Sequence, residues 1–230
     1  MVNRTFIILT LLWAFILTAN SQNTFKKELS VGGSFGMGVS SVSFTPRVQT
    51  NQLLGVHLGF TGRWITEKNL GLILELNFAQ EGWDEKFDMQ TNEAGELVDH
   101  QYTRRINYID IPFLTHIYFG GKRLRFFINL GPKIGYAISE NTTENVGDLM
   151  PPPNNSEANT AQRYIKVQHK FAWGICGGPG IELRTGIGNF LLEGRYYYGL
   201  GDIFNSRKGD AFSKSSSQVI LGKLTYLLPL

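Results

Sequence analysis

The chain has 230 residues, of which 42% are hydrophobic, 13% aromatic and 18% charged, and its formal charge is +3. So few charges exclude a disordered polyelectrolyte, and no Lys/Arg cluster offers a face to nucleic acid. One cysteine leaves no disulfide framework or multi-cysteine zinc site, and no apolar run is long enough for a spanning helix. A membrane β-barrel stays open, because its hydrophobic signal alternates and averages away.

The first residues follow a secretory plan. Arg4 is a basic start, residues 6–17 are apolar, and Ala19-Asn20-Ser21 is a small-x-small site before Gln22. Residues 1–21 are therefore expected to be a cleaved export signal and residues 22–230 the mature barrel domain. No cysteine near the junction offers a lipid attachment point.

From residue 29 onward the period is two. Leu29, Val31, Phe35, Met37 and Val39 alternate with serines and glycines; Leu54, Val56, Leu58, Phe60 and Trp64 alternate with His57, Gly59, Thr61 and Arg63. Leu70, Leu72, Leu74, Leu76 and Phe78 oppose Glu75, Asn77 and Ala79, and Ile109, Ile111, Phe113, Ile117 and Phe119 oppose Asp110 and His116. Phe126, Ile128, Leu130, Ile134, Tyr136 and Ile138 oppose Arg125, Asn129 and Lys133. Phe171, Trp173, Ile175, Ile181 and Leu183 oppose Lys170, Cys176 and Glu182. Phe190, Leu192, Tyr196, Tyr198 and Leu200 oppose Glu193 and Arg195, and Ile220, Leu224, Tyr226, Leu228 and Leu230 oppose Lys223. Eight strands result, each long enough to cross a bilayer when tilted.

Charge placement separates the architectures. The apolar faces carry no Asp, Glu, Lys or Arg, whereas the other faces carry Arg63, Glu75, Asp110, Arg125, Lys133, Lys170, Glu182, Glu193, Arg195 and Lys223. A soluble barrel would put its charges outside. A sandwich shares the alternation, but with shorter strands and no need for its outward charges to balance. The all-β reading is an eight-stranded antiparallel transmembrane barrel, an up-and-down meander in the bacterial outer membrane. Short turns follow strands two, four and six, and longer connections fall at residues 41–51, 84–103, 141–163 and 202–215. An even strand count then puts both termini on the short-turn, periplasmic side. Trp64, Trp83 and Trp173 fall near strand ends, as interfacial aromatics would. Pro112, Pro132 and Pro179 lie inside strands, where each removes a ladder donor, so bulges or gaps are expected there.

Residues 108–114, 131–136, 177–182 and 193–200 carry four motifs that resemble those of the PorT family of Bacteroidetes outer-membrane barrels. Tyr108-Ile109-Asp110-Ile111-Pro112-Phe113-Leu114 is similar to its Tyr-Leu-Glu-Ile-Pro-Leu-Leu strand, and Gly131-Pro132-Lys133-Ile134-Gly135-Tyr136 to its Gly-Pro-x-x-Gly-Tyr strand. Gly177-Gly178-Pro179-Gly180-Ile181-Glu182 and Glu193-Gly194-Arg195-Tyr196-Tyr197-Tyr198-Gly199-Leu200 resemble two more. Asp110 stands where Glu is commoner, and the chain ends on Leu230 rather than an aromatic. The resemblance implies an outer-membrane barrel; a part in protein secretion of the type IX kind follows from the family name alone.

Function is less legible. Glu75, Asp110, Lys133, Glu182, Glu193, Arg195 and Lys223 are expected to form a lumen charge network, with His57 and His116 as polar lumen residues. An eight-stranded barrel is just wide enough for side chains to fill, so these charges should pair. They would then plug the lumen or, alternatively, switch partners and gate a narrow conduit. Catalysis has little support: His57, His100, His116 and His169 are scattered and no triad spacing exists, although a rim site using His100 or His169 stays open. Cys176 reads as a small inward filler. Residues 177–180 lack the strand-to-helix context of a phosphate loop, and Asp84, Glu85 and Asp88 read as an acidic surface loop. Residues 151–155, Pro-Pro-Pro-Asn-Asn, read as an extended loop tip. No metal or cofactor is expected. The partners are outer-membrane lipid and lipopolysaccharide and, during insertion, the barrel-assembly machinery; the loops name no extracellular ligand. The reading is a small non-enzymatic barrel with a filled lumen and long loops for envelope or interaction roles.

Overall fold

Eight long strands carry the alternation: β1 (Glu28–Thr45), β2 (Leu53–Glu67), β3 (Leu70–Lys86), β4 (Gln101–Gly120), β5 (Leu124–Asn145), β6 (Phe171–Thr185), β7 (Gly188–Asp202) and β8 (Lys214–Pro229). Each pairs antiparallel with its chain neighbours, and β1 also pairs with β8, so the sheet closes into a barrel. Closure removes the unpaired edges that an open sheet would expose. The computed structural model describes residues 26–86, 90–91, 97–98, 101–145 and 161–230. The expected export signal, His100, Asp88 and residues 151–155 lie outside the described residues.

Chain connections define two rims. Residues 68–69, 121–123 and 186–187 turn at one rim, beside the start of β1 and the end of β8. At the other rim, residues 46–52, 87–100, 146–170 and 203–213 connect the strands. This long-loop rim includes a two-residue ladder of Gln90–Thr91 with Leu97–Val98 and a single-turn helix, α1 (Ala161–Tyr164).

Apolar side chains of the period-two pattern face outward. Leu58, Phe60, Leu74, Phe113, Ile128, Leu130, Trp173, Leu192 and Leu224 are all exposed, while their strand neighbours His57, Thr61, Glu75, Asn129, Glu193 and Lys223 are buried. A water-soluble fold would not leave so continuous an apolar belt uncovered. On β5 the belt runs from Leu124 to Ile138, and then a bulge intervenes. The pairing steps from Tyr108–Ala137 to Asn107–Ser139, so Ile138 is an extra residue. One extra residue exchanges the faces of everything beyond it. Glu140 therefore turns inward, to Arg104 at 3.2 Å.

The prolines are accommodated differently from a bulge. Pro112 pairs with Lys133 on β5, while the β3–β4 ladder skips from Leu74–Phe113 to Asn77–Asp110. Pro132 keeps its partner Ile175 and Pro179 keeps Ile128, each beside a two-residue gap on the other flank. Register is unchanged across all three gaps. Each missing N–H thus opens the ladder on one side without displacing a side chain from its face.

Candidate functional site

The lumen is built in tiers. At the short-turn rim Arg63 reaches Glu182 at 2.8 Å and Glu28 at 3.1 Å, and Arg184 reaches Glu28 at 2.6 Å. Arg125 lies 4.0 Å from Glu182 and stacks over the Tyr118 ring at 4.5 Å. Above this tier His116 Nδ1 shares a 2.7 Å hydrogen bond with Asn129 Oδ1, amid Ile65, Tyr118, Phe127, Leu191 and Leu227.

The middle tier holds most of the charge. Arg195 donates to both oxygens of Glu75, at 2.7 and 3.0 Å, and to both oxygens of Glu193, at 2.8 Å each. Lys223 also contacts Glu75, and Asn77 donates to it at 2.9 Å. Next along the lumen, Lys133 joins Glu81 at 2.6 Å and Asp110 at 2.7 Å and sits 3.7 Å from the Tyr197 ring centroid. Ser217 donates to the second Glu81 oxygen at 3.0 Å. Paired, hydrogen-bonded geometry of this kind offsets the cost of moving so many ions out of water. Sequence contributes the space: a Cβ on Gly135 would stand 2.3 Å from Asp110 Oδ1, so glycine there leaves room for the carboxylate.

A cavity of about 20 Å³ lies among His57, Glu81, Asp110, Lys133, Cys176 and Tyr197. That volume accommodates a water molecule and nothing larger. Cys176 is buried beside Tyr197, Val219 and Leu221.

The long-loop mouth is closed by another chemistry. Phe44, Trp83, Phe204 and Phe212 interlock, with ring centroids 5.0 to 6.2 Å apart, and Val42, Val48, Ile106, Tyr108 and Ile203 pack around them. Ala161, Ile165 and Val167 press on this cluster from the loop side. Arg104 lies over the Trp83 ring at 5.3 Å and donates to the carbonyls of Ile165 and Arg163 at 2.7 and 3.2 Å. Glu140 accepts the Val167 N–H at 3.1 Å, and Glu85 binds Arg163 at 3.0 Å. The strap after α1 is thereby tied to the barrel wall.

Several expectations change here. Trp83 is not an interfacial aromatic: it is fully buried at the plug's centre, its indole N–H donating to Glu85 at 2.9 Å. Trp64 and Trp173 point outward near opposite rims. Asp84 and Glu85 are not a solvated acidic loop; both are buried, and Asp84 accepts from Thr103 at 2.7 Å. Lys170 precedes β6 and is exposed instead of facing the lumen. Glu75, Asp110, Lys133, Glu193, Arg195 and Lys223 share one interior region, with His57 beside them on the cavity. Glu182 and His116 lie in the tiers nearer the short turns. Unanticipated members are Glu28, Glu81, Glu85, Arg104 and Glu140. His169 bonds the Asp202 carbonyl at 3.0 Å. Among the described residues no group of His, Cys, Asp or Glu is placed to hold a metal ion.

The family model for the outer membrane protein beta-barrel domain matches residues 19–205. Among solved structures, the attachment invasion locus protein Ail of Yersinia pestis is 12% identical with a TM-score of 0.42, over 87% of this chain and 99% of that one. Neisserial surface protein A is 8% identical with a TM-score of 0.43, over 88% and 99%. OprG of Pseudomonas aeruginosa is 15% identical with a TM-score of 0.38, over 87% and 92%. A search of curated proteins returns no match. The family match spans most of the chain, and the ladder it would require closes on itself around a buried ionic interior. The chain belongs to the outer membrane β-barrel family and resides in the outer membrane.

Proposed function

We propose that this protein is a small non-enzymatic component of the outer membrane whose barrel is a sealed scaffold for its long-loop rim. The carrying observation is the lumen itself: Arg195 is clamped between Glu75 and Glu193 at mid-height, and the Phe44–Trp83–Phe204–Phe212 cluster fills the mouth above it. Two closures of different chemistry lie in series, and the cavity beside Lys133 and Asp110 holds no more than a water molecule. Such a lumen has no route for a nutrient. Loops on a rigid scaffold are where binding would concentrate, and the long-loop rim supplies them. In the orientation expected from the short turns, this rim faces outside the cell.

Liposome swelling tests the sealed-scaffold reading. Vesicles carrying the folded full chain should swell no faster in arabinose or glycine than empty vesicles. Swelling that scales with protein content would replace it with the conduit reading. The likeness to PorT-type barrels rests on the motifs at 108–114, 131–136, 177–182 and 193–200. Those same segments bear Asp110, Lys133, Glu182, Glu193 and Arg195, so their shared pattern has a sufficient cause in lumen packing.

A further inference from the structure

One surface stands apart from the lumen. On the outer wall at the long-loop rim, His169, Lys170, Phe171, Trp173, Leu200 and Asp202 line a groove of about 480 Å³, a size ordinary for a small-ligand site. Its floor is Phe171, Trp173 and Leu200, all outward and exposed, and it continues the apolar belt on β6 and β7. Tyr136 pairs with Phe171 and extends the aromatic floor onto β5. Whatever rests there has one side in hydrocarbon, which selects an amphiphile over a soluble molecule.

Polar groups converge on the upper edge. The Lys170 ammonium and the Trp173 indole N–H make no hydrogen bond among the described residues, and both are donors. His169 commits Nδ1 to the Asp202 carbonyl and has Nε2 free to face a ligand. Asp202 commits one carboxylate oxygen to the Ser215 N–H at 2.6 Å and retains the other as an acceptor. These groups are held in place by backbone bonds on both sides. The Lys170 carbonyl accepts the Ala137 N–H at 2.7 Å, and the His169 N–H donates to Ile203 O at 3.0 Å. Gly201 completes the shape, since a Cβ there would press on the Trp173 indole at 3.0 Å.

We propose that this groove binds the phosphorylated sugar head of a glycolipid in the surrounding leaflet. The sugar ring lies against Trp173, its hydroxyls bond His169 and Asp202, and the phosphate takes the Lys170 ammonium. The acyl chains run down the apolar belt below. This inference rests on the outer-membrane placement and not on the sealed lumen, so its failure leaves the scaffold reading intact and the swelling assay tests that separately.

The test uses the full chain folded in phosphatidylcholine nanodiscs, with lipid A, enzymatically dephosphorylated lipid A and water-soluble glucosamine 1-phosphate as probes. The readout is the indole N–H resonance of Trp173, together with lipid retained in native mass spectrometry. Lipid A should shift that resonance saturably, and dephosphorylated lipid A should bind at least tenfold more weakly. H169A/K170A should lose at least tenfold, Trp173→Phe should lose less, and Lys122→Ala at the opposite rim should bind as the parent does. Equal binding with and without phosphate, or undiminished binding by H169A/K170A, would overturn the assignment. Equal affinity for glucosamine 1-phosphate would overturn the choice of a lipid. Both groove variants alter exposed side chains, and retained heat-modifiable gel mobility establishes that they are folded.

Discussion

The middle of the lumen and its long-loop mouth close the same barrel by opposite means. At mid-height the fill is ionic, with Lys133 and Arg195 each shared between two carboxylates and Lys223 paired with Glu75. At the mouth it is aromatic, with four interlocked rings and a strap laid over them. The ionic tier is specific but intolerant, because removing one partner strands a buried charge. The aromatic tier gains from area and packing, which are non-directional, so it tolerates conservative exchange. A narrow tube can therefore be sealed by either chemistry, but the two seals should fail differently.

The largest effect is expected in the ionic tier. Arg195→Ala leaves Glu75 and Glu193 buried with fewer partners and should cost about 3–5 kcal/mol, read as a lowered urea midpoint for unfolding from lipid vesicles. Moving such a charge to the other face tests whether sidedness or charge matters. Leu130→Arg, one residue from the buried Asn129 but facing outward near the middle of the belt, should cost about 2–4 kcal/mol in the same assay. In the aromatic tier Trp83→Phe keeps the ring packing and loses the bond to Glu85, which Arg163 also serves, so about 1 kcal/mol is expected. Arg184→Ala, at the half-exposed short-turn rim, should cost about 0.5 kcal/mol and fade with added salt. A Trp83→Phe loss exceeding that of Arg195→Ala would reverse the ranking of the two tiers.

The same contrast explains what could be read from sequence. The ionic tier was legible because strict alternation assigns a face to Glu75, Lys133, Glu193, Arg195 and Lys223 without knowing any contact. Glu81 escaped because the alternation of β3 dissolves into Gln80-Glu81-Gly82-Trp83, although the strand runs on to Lys86. Trp83 then looked like a strand-end aromatic and belongs to the plug. Glu140 escaped because the extra residue at Ile138 reverses the parity of β5, and nothing local in the sequence marks that bulge. Phe204 and Phe212 sit in a connection with no period at all, so only tertiary packing reveals them. Prolines 112, 132 and 179 were visible as ladder faults, yet whether a fault shifts register or leaves a gap depends on the neighbouring strand. Pattern reports faces; it does not report closures made by loops.

Single-channel recording across a planar bilayer tests the sealed lumen most directly. The folded wild-type chain, inserted at known density, should give a baseline trace with no stable unitary conductance at either polarity in molar potassium chloride. Reproducible conductance steps from the wild-type protein would contradict the double seal.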